Sequence, residues 1–517
     1  MTSRQRSEEP GSEMQAAQAD DEQPTVSLLT PEQLAERRAR ERRRGLRGRG
    51  PREPREPDPP AEGGEGRRTR REWPSLTLAV SGAVAAAYVA LSLSDGGFEP
   101  AIWAEATILV WWTVLMAVVA RAWPRSGIPL AAVLTAVCLL AFTLLTGASI
   151  AWTSDLGAAW EDAMRGAGYL GVFVLTAIAA RAGAGRAFLA GLAVGLLAVC
   201  VVALLSRLEP GLVDSREEAR GLRVSGGRLS WPLGYWNALG ACAAAAVPLF
   251  IWLAISARAV WGRALAAGAV PALVLTLFFT GSRAGLVAQA VALLVLLLAG
   301  PRRVTLISVI ALTLIAANVL VAAASGTPDL VNGEESAAAA SAGDRLLVLT
   351  ILAFAAVTAF VRLADRRIAR LHLPVIGVRR ATVVVVAGLV AIVGLASLTA
   401  DPVERLKEFD DPPATAQATE EGNRIGEAGS SGRAQFWSAA LDAFSTDPIR
   451  CIGAGGFESF WAVNGELDFT VTHAHSFFLE AAGEIGIAGL LLALAIFADV
   501  GVTVLVILNS LRLLSYK

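Results

Sequence analysis

About twelve apolar runs of roughly membrane-spanning length follow one another after Trp73-Pro74, and they leave this chain few folds to adopt. A bilayer core holds no water to satisfy backbone N–H and C=O groups, so spans of this length must be helices. The runs are 76–94, 101–121, 128–150, 166–182, 187–206, 233–257, 264–281, 284–300, 303–324, 345–363, 381–400 and 477–500. They are rich in Ala, Leu, Val and Gly, and small residues let transmembrane helices approach closely. A mean hydropathy of +0.52 with 18% charged residues agrees with a membrane protein and not a soluble one. The expected fold class is all-α: a polytopic membrane protein of about twelve transmembrane helices, with a large outer-face loop before the last.

Before the first run, residues 1–74 lack apolar periodicity, and from Arg37 to Arg71 they are dense in arginine with Pro and Gly interleaved. Such a stretch cannot bury enough apolar surface to fold, so it reads as a disordered cytoplasmic tail. It is not a signal peptide, because a long polar stretch precedes the first apolar run. A short helix is expected over 31–44. The net charge of −1 gives no global field pointing to nucleic acid. Cys138, Cys200 and Cys242 fall in apolar runs and Cys451 is alone in its loop, so neither a disulfide framework nor a metal site is suggested.

Short loops rich in arginine and lysine stay in the cytoplasm. With the tail inside, the inner loops carry Arg121 and Arg125, Arg181 and Arg186, Arg258 and Arg263, Arg302 and Arg303, and the run from Arg362 to Arg380. Both termini then lie inside. The outer connections are 95–100, 150–165, 207–232, 282–283, 325–344 and 401–476, and loops as long as the last are usually functional. The domains expected are the tail, a bundle over 75–400 with outer loop 207–232, the outer loop 401–476, and a last helix with a short cytoplasmic end over 477–517.

Several arginines stand on the outer side against this trend. Arg223 and Arg228 lie nearest the membrane re-entry of loop 207–232, Arg283 sits in a two-residue gap between apolar runs, and Arg433 opens a patterned part of loop 401–476. Arginine offers a fork of donors suited to phosphate oxygens, and a charge at membrane depth is costly enough to imply function. Each also has a plainer reading, as a snorkelling or salt-bridged surface charge. After Arg433, Phe436, Trp437, Ala440, Leu441 and Phe444 recur at helical spacing and predict an amphipathic helix that lies on the membrane or caps the bundle. Gly453-Ala454-Gly455-Gly456 is either a phosphate cradle or a simple turn.

Two of only three histidines, His473 and His475, close this loop where it enters the last apolar run. Histidine titrates near neutrality, so these are either interfacial residues or proton-transfer groups. An anionic substrate approaching from the lipid, such as a lipid pyrophosphate, fits the outer cations, histidines and aromatics together.

These residues resemble the O-antigen ligase and O-antigen polymerase superfamily of bacterial membrane glycosyltransferases. His475-Ser476, nine residues, Gly486, two residues and Gly489 satisfy the family's C-terminal signature. Arg433…Trp437…Pro448…Gly453-Ala454-Gly455, Ser282-Arg283 and Arg228…Asn237 resemble its other motifs, so the likeness covers roughly 200–490. The resemblance implies a GT-C-like fold and an inverting, metal-independent transfer without cofactor. The donor would be a glycan on undecaprenyl pyrophosphate, and the acceptor a hydroxyl of a lipid, glycan or protein at the outer face of the cytoplasmic membrane. Arg228 and Arg283, then Arg223 and Arg433, would bind the pyrophosphate. His475 would be the catalytic base, or would bind pyrophosphate while Glu480 or Glu484 acts as base, with His473 as a second choice. The competing function is a transporter or flippase of lipid-linked sugars, which would place charges nearer the bilayer midplane.

Overall fold

The structure is a computed structural model that describes residues 74–120, 128–181, 184–211, 227–299, 302–368 and 432–514. The predicted span 381–400, the helix at 31–44, the tail and Arg223 lie outside the described residues.

The protein is an all-α, multi-pass membrane protein. Its helices are α1 Pro74–Leu93, α2 Pro100–Val119, α3 Leu130–Ala148, α4 Leu156–Arg181, α5 Gly185–Leu208, α6 Trp236–Ser256 and α7 Val260–Thr280. They continue as α8 Arg283–Ala299, α9 Arg303–Ser325, α10 Pro328–Asn332, α11 Ala337–Ile368, α12 Arg433–Thr446, α13 Phe457–Asn464 and α14 Phe477–Leu514. Among the described residues nine helices are long and apolar enough to cross a membrane. Thr77–Leu93 and Arg283–Leu298 are shorter apolar helices. Eleven of the expected spans therefore coincide with helices; the twelfth is the undescribed 381–400.

α7 is the centre of the bundle. It packs against α5, α6, α9 and α11, and Ala267, Val270, Leu273 and Leu277 are fully buried. A helix apolar on every side belongs in such an interior. A second group pairs α3 with α4 and α14, and α2 with α4. α12 lies along α14, at a point where a Cβ added to Gly483 would stand 2.8 Å from the Ala440 carbonyl oxygen. One side of it packs on the protein: Phe436, Ala439 and Ala440 are buried with Phe457, Trp461, Val471 and Ala474. On that side it caps the bundle, while Leu441 of the predicted stripe stays exposed.

Two boundaries differ from expectation. α4 begins at Leu156, ten residues before the expected run, and α11 at Ala337 instead of 345. Both extensions are capped: Ala158 N donates to Asp155 Oδ1 at 2.9 Å, and Ala339 N to Ser336 Oγ at 3.0 Å. Charged turns of this kind end an apolar window without ending a helix.

The connections expected on the outer side meet one another. Arg165 in α4 lies over the rings of Phe98 and Trp103, at 5.5 and 5.6 Å. Trp152 Nε1 donates to Arg450 O and Thr153 Oγ1 to Ala454 O, each at 2.9 Å. A Cβ on Gly96 would stand 3.2 Å from Leu233 O, and Leu229 N donates to Phe279 O at 2.9 Å. At the other helix ends, Arg302 donates to Ile255 O at 2.9 Å and Arg362 lies over Trp261 at 5.4 Å. The described spans thus alternate between two faces, one gathering the connections expected outside and the other those expected inside.

Candidate functional site

The first turn of α14 shapes the histidine loop. Glu480 sits in that turn, where the helix dipole favours an acid. Its Oε2 accepts from Ala474 N at 2.9 Å, its Oε1 from His473 Nδ1 at 2.9 Å, and its own N donates to Ser476 O at 2.8 Å. Ala474 is fully buried. The chain is therefore pinned on both sides of His475, which takes a left-handed φ of +53°. That conformation costs a residue with a Cβ about 1–2 kcal/mol, and such strain gathers at functional sites.

His475 lies against Phe436 with ring centroids 5.7 Å apart, and its edge stays exposed. Loss of hydration and the Arg433 guanidinium push its imidazole below the ordinary 6.5. His473 is pushed the other way, first by its hydrogen bond to Glu480 and then by the charges of Glu480 and Asp162. The loop thus presents one histidine biased towards neutral and one biased towards charged.

The signature glycines are structural. Gly486 breaks α14 with φ +73° and ψ −166°, a region open in practice only to glycine. A Cβ there would stand 2.5 Å from Ile449 O, and Ile487 N donates to Pro448 O at 2.9 Å. Of the two readings of Gly453–Gly456, the geometry matches the turn. Gly453 N donates to Glu484 O at 2.8 Å, Ala454 N to Ser149 Oγ at 3.0 Å, and Phe457 N to Glu484 Oε1 at 3.2 Å. Amides spent this way are not offered to a phosphate. The same contacts put the Glu484 carboxylate, 7% exposed, at the N-terminus of α13.

A second group forms where α6, α7 and α8 come together. Gly281 ends α7 in the left-handed conformation, so α8 starts at once with Arg283. Ser282 Oγ donates to Asn237 Oδ1 at 2.8 Å and accepts from Gly285 N at 3.2 Å, while Asn237 Nδ2 donates to Tyr235 Oη at 2.7 Å. Arg228 stacks on Trp236, its Cζ 4.5 Å from the ring centre. The Arg228…Asn237 and Ser282-Arg283 motifs, far apart in sequence, are thereby joined.

The expected site residues fall into these two groups: His473, His475, Glu480, Glu484 and Arg433 in one, Arg228 and Arg283 in the other. α8 packs against α14, and Arg165 bridges towards the loop at 95–100 that touches Leu233. Asp162 and Arg165 of α4 were not anticipated. Their signal was an i, i+3 pair in the first turns of α4, where Arg165 meets Asp162 at 3.3 Å and Glu161 at 3.6 Å. Both charges act on His473.

A family model described as O-antigen ligase matches residues 336–494, the segment from the start of α11 into the spanning part of α14. Over that segment the chain is similar to the O-antigen ligase family. Neither a curated protein nor a solved structure matches it. An O-antigen ligase-like, membrane-embedded transferase is the activity this family supports. The matched segment holds His473, His475, Glu480, Glu484 and Arg433, while Arg228, Arg283, Asp162 and Arg165 precede it.

Proposed function

We propose that the chain transfers a glycan from undecaprenyl pyrophosphate to an acceptor hydroxyl at the outer face of the cytoplasmic membrane, with inversion and without a metal. The observation that carries this reading is the histidine loop: His475 biased towards neutral, held beside Arg433 by a strained backbone, within the segment that matches the family. The acceptor oxygen attacks the anomeric carbon as the bond to the pyrophosphate breaks. The acceptor proton passes to His475, and the pyrophosphate leaves with the bonding electron pair. A neutral imidazole is the form that accepts a proton. Glu480 suits the base role less well, because both its oxygens already hold the loop. Glu484 suits it less still, being buried at the start of α13. Arg228 and Arg283, with Arg433 and Arg223, stabilise the charge that develops on the leaving group. A second histidine biased towards charged, His473, adds to that field.

The test is transfer of a lipid-linked oligosaccharide in proteoliposomes by wild type, His475→Ala and Arg283→Ala. Loss of the base lowers the rate by about 10²–10⁴-fold. Unchanged transfer in both variants sinks the site assignment, and flipping without transfer favours a transporter.

A further inference from the structure

Arg207 lies at the end of α5, before the candidate cations in sequence, and belongs to neither group above. It is a charged side chain with three carbonyl oxygens as acceptors. Its Nη1 donates to Leu330 O at 3.2 Å and Val331 O at 3.3 Å, and its Nη2 donates to Gly227 O. Its Cζ stands 5.7 Å from the Phe279 ring centre. The backbone has been shaped to admit it: Gly333 is left-handed at φ +68°, and a Cβ there would overlap the guanidinium. Gly227 is left-handed too, at φ +75°, pressed against the Asn332 carbonyl. Around this knot Leu208, Leu229, Phe279 and Leu330 are buried together.

The residue after Gly227 is Arg228. The chain is held at Gly227 by Arg207 and at Leu229 by the bond to Phe279 O, 2.9 Å long. Arg228 therefore leaves a backbone fixed on both sides, and its guanidinium arrives over Trp236. Phe279 is two residues before Gly281, which sets the start of α8 and so the place of Arg283. A planar fork reaches Gly227 and α10 at once; an ammonium, a point donor, does not.

We propose that Arg207 is a positioning residue for Arg228, fixing the Gly227–Leu229 backbone that presents Arg228 to a pyrophosphate-bearing lipid. The claim about the ligand rests on the transferase reading above; the claim about the backbone does not.

The test uses the full chain in nanodiscs, with undecaprenyl pyrophosphate as the probe. Arg207→Met is expected to weaken its binding about tenfold in an otherwise wild-type chain. In an Arg228→Ala background the same substitution should have almost no further effect, whereas with Arg433→Ala its effect should multiply. Arg207→Lys should fall between Met and wild type. Hydrogen–deuterium exchange should rise in residues 227–236 of Arg207→Met and stay unchanged in 449–464. Unchanged exchange over 227–236, or an equal loss of binding with and without Arg228, overturns the proposal. If Arg207→Met does not fold, Arg207→Lys is read by the same measurements. If wild type fails to bind the probe, the transferase reading fails, and exchange alone decides whether Arg207 orders the Arg228 segment.

Discussion

His473 and His475 stand two positions apart and are biased in opposite directions by their neighbours. Glu480 favours the charged form of His473, while lost hydration and Arg433 favour the neutral form of His475. If His475 is the base, transfer holds through neutral pH and falls on acidification through a midpoint below 6.5, since protonation removes the acceptor. Because the Glu480 charge raises the His475 value, Glu480→Gln should move that midpoint lower still. A pH–rate profile of both proteins checks this, and a midpoint at or above 6.5 in wild type contradicts it. Stability runs by a different group. The folded value of His473 lies above its unfolded one. The contribution of the pair with Glu480 is thus complete below the unfolded value of about 6.5 and is lost as pH rises through the folded value.

At the scale of elements, α14 is a helix interrupted for a reason. The break at Ile485-Gly486 lets the 448–449 backbone pass close to the helix, and it turns Glu484 towards the amides that begin α13. Gly486→Ala puts a Cβ into a backbone region that rejects it and against two carbonyl oxygens, so it should destabilise by about 2 kcal/mol or more. Gly489→Ala is expected to be milder, because Gly489 has no left-handed φ and the Cβ there meets the Ile485 side chain before the Ala481 carbonyl oxygen at 3.0 Å. Thermal melting of the two purified variants ranks them; equal melting temperatures would remove the structural role assigned to Gly486.

At the scale of the molecule, the described loops sort into two faces, and the arginine pattern predicts which is inside. In a Cys451→Ser background, Asp155→Cys should react with a membrane-impermeant maleimide added to intact cells. Arg258→Cys should react only after the membrane is opened. The reverse pattern would invert the protein and put His475 on the cytoplasmic side.

The spans were legible in the sequence because a bilayer demands long apolar helices, and length and hydropathy reveal those without any knowledge of packing. His475, Gly486 and Gly489 were legible as a spaced motif, and Arg433 as the start of an amphipathic helix. Tertiary structure alone decided the rest, since it depends on contacts between distant parts of the chain. Asn237 and Ser282 meet across 45 residues. Ala454 and Thr153 meet across 301. Glu480 and Glu484 look alike in sequence, one turn apart on one helix; only packing gives the first to the histidine loop and the second to the start of α13. Nothing in the sequence sets Arg207 apart; the convergence of carbonyls from α10 and Gly227 on its guanidinium does. A hydropathy pattern records which residues avoid water, not which charges will find each other after they do.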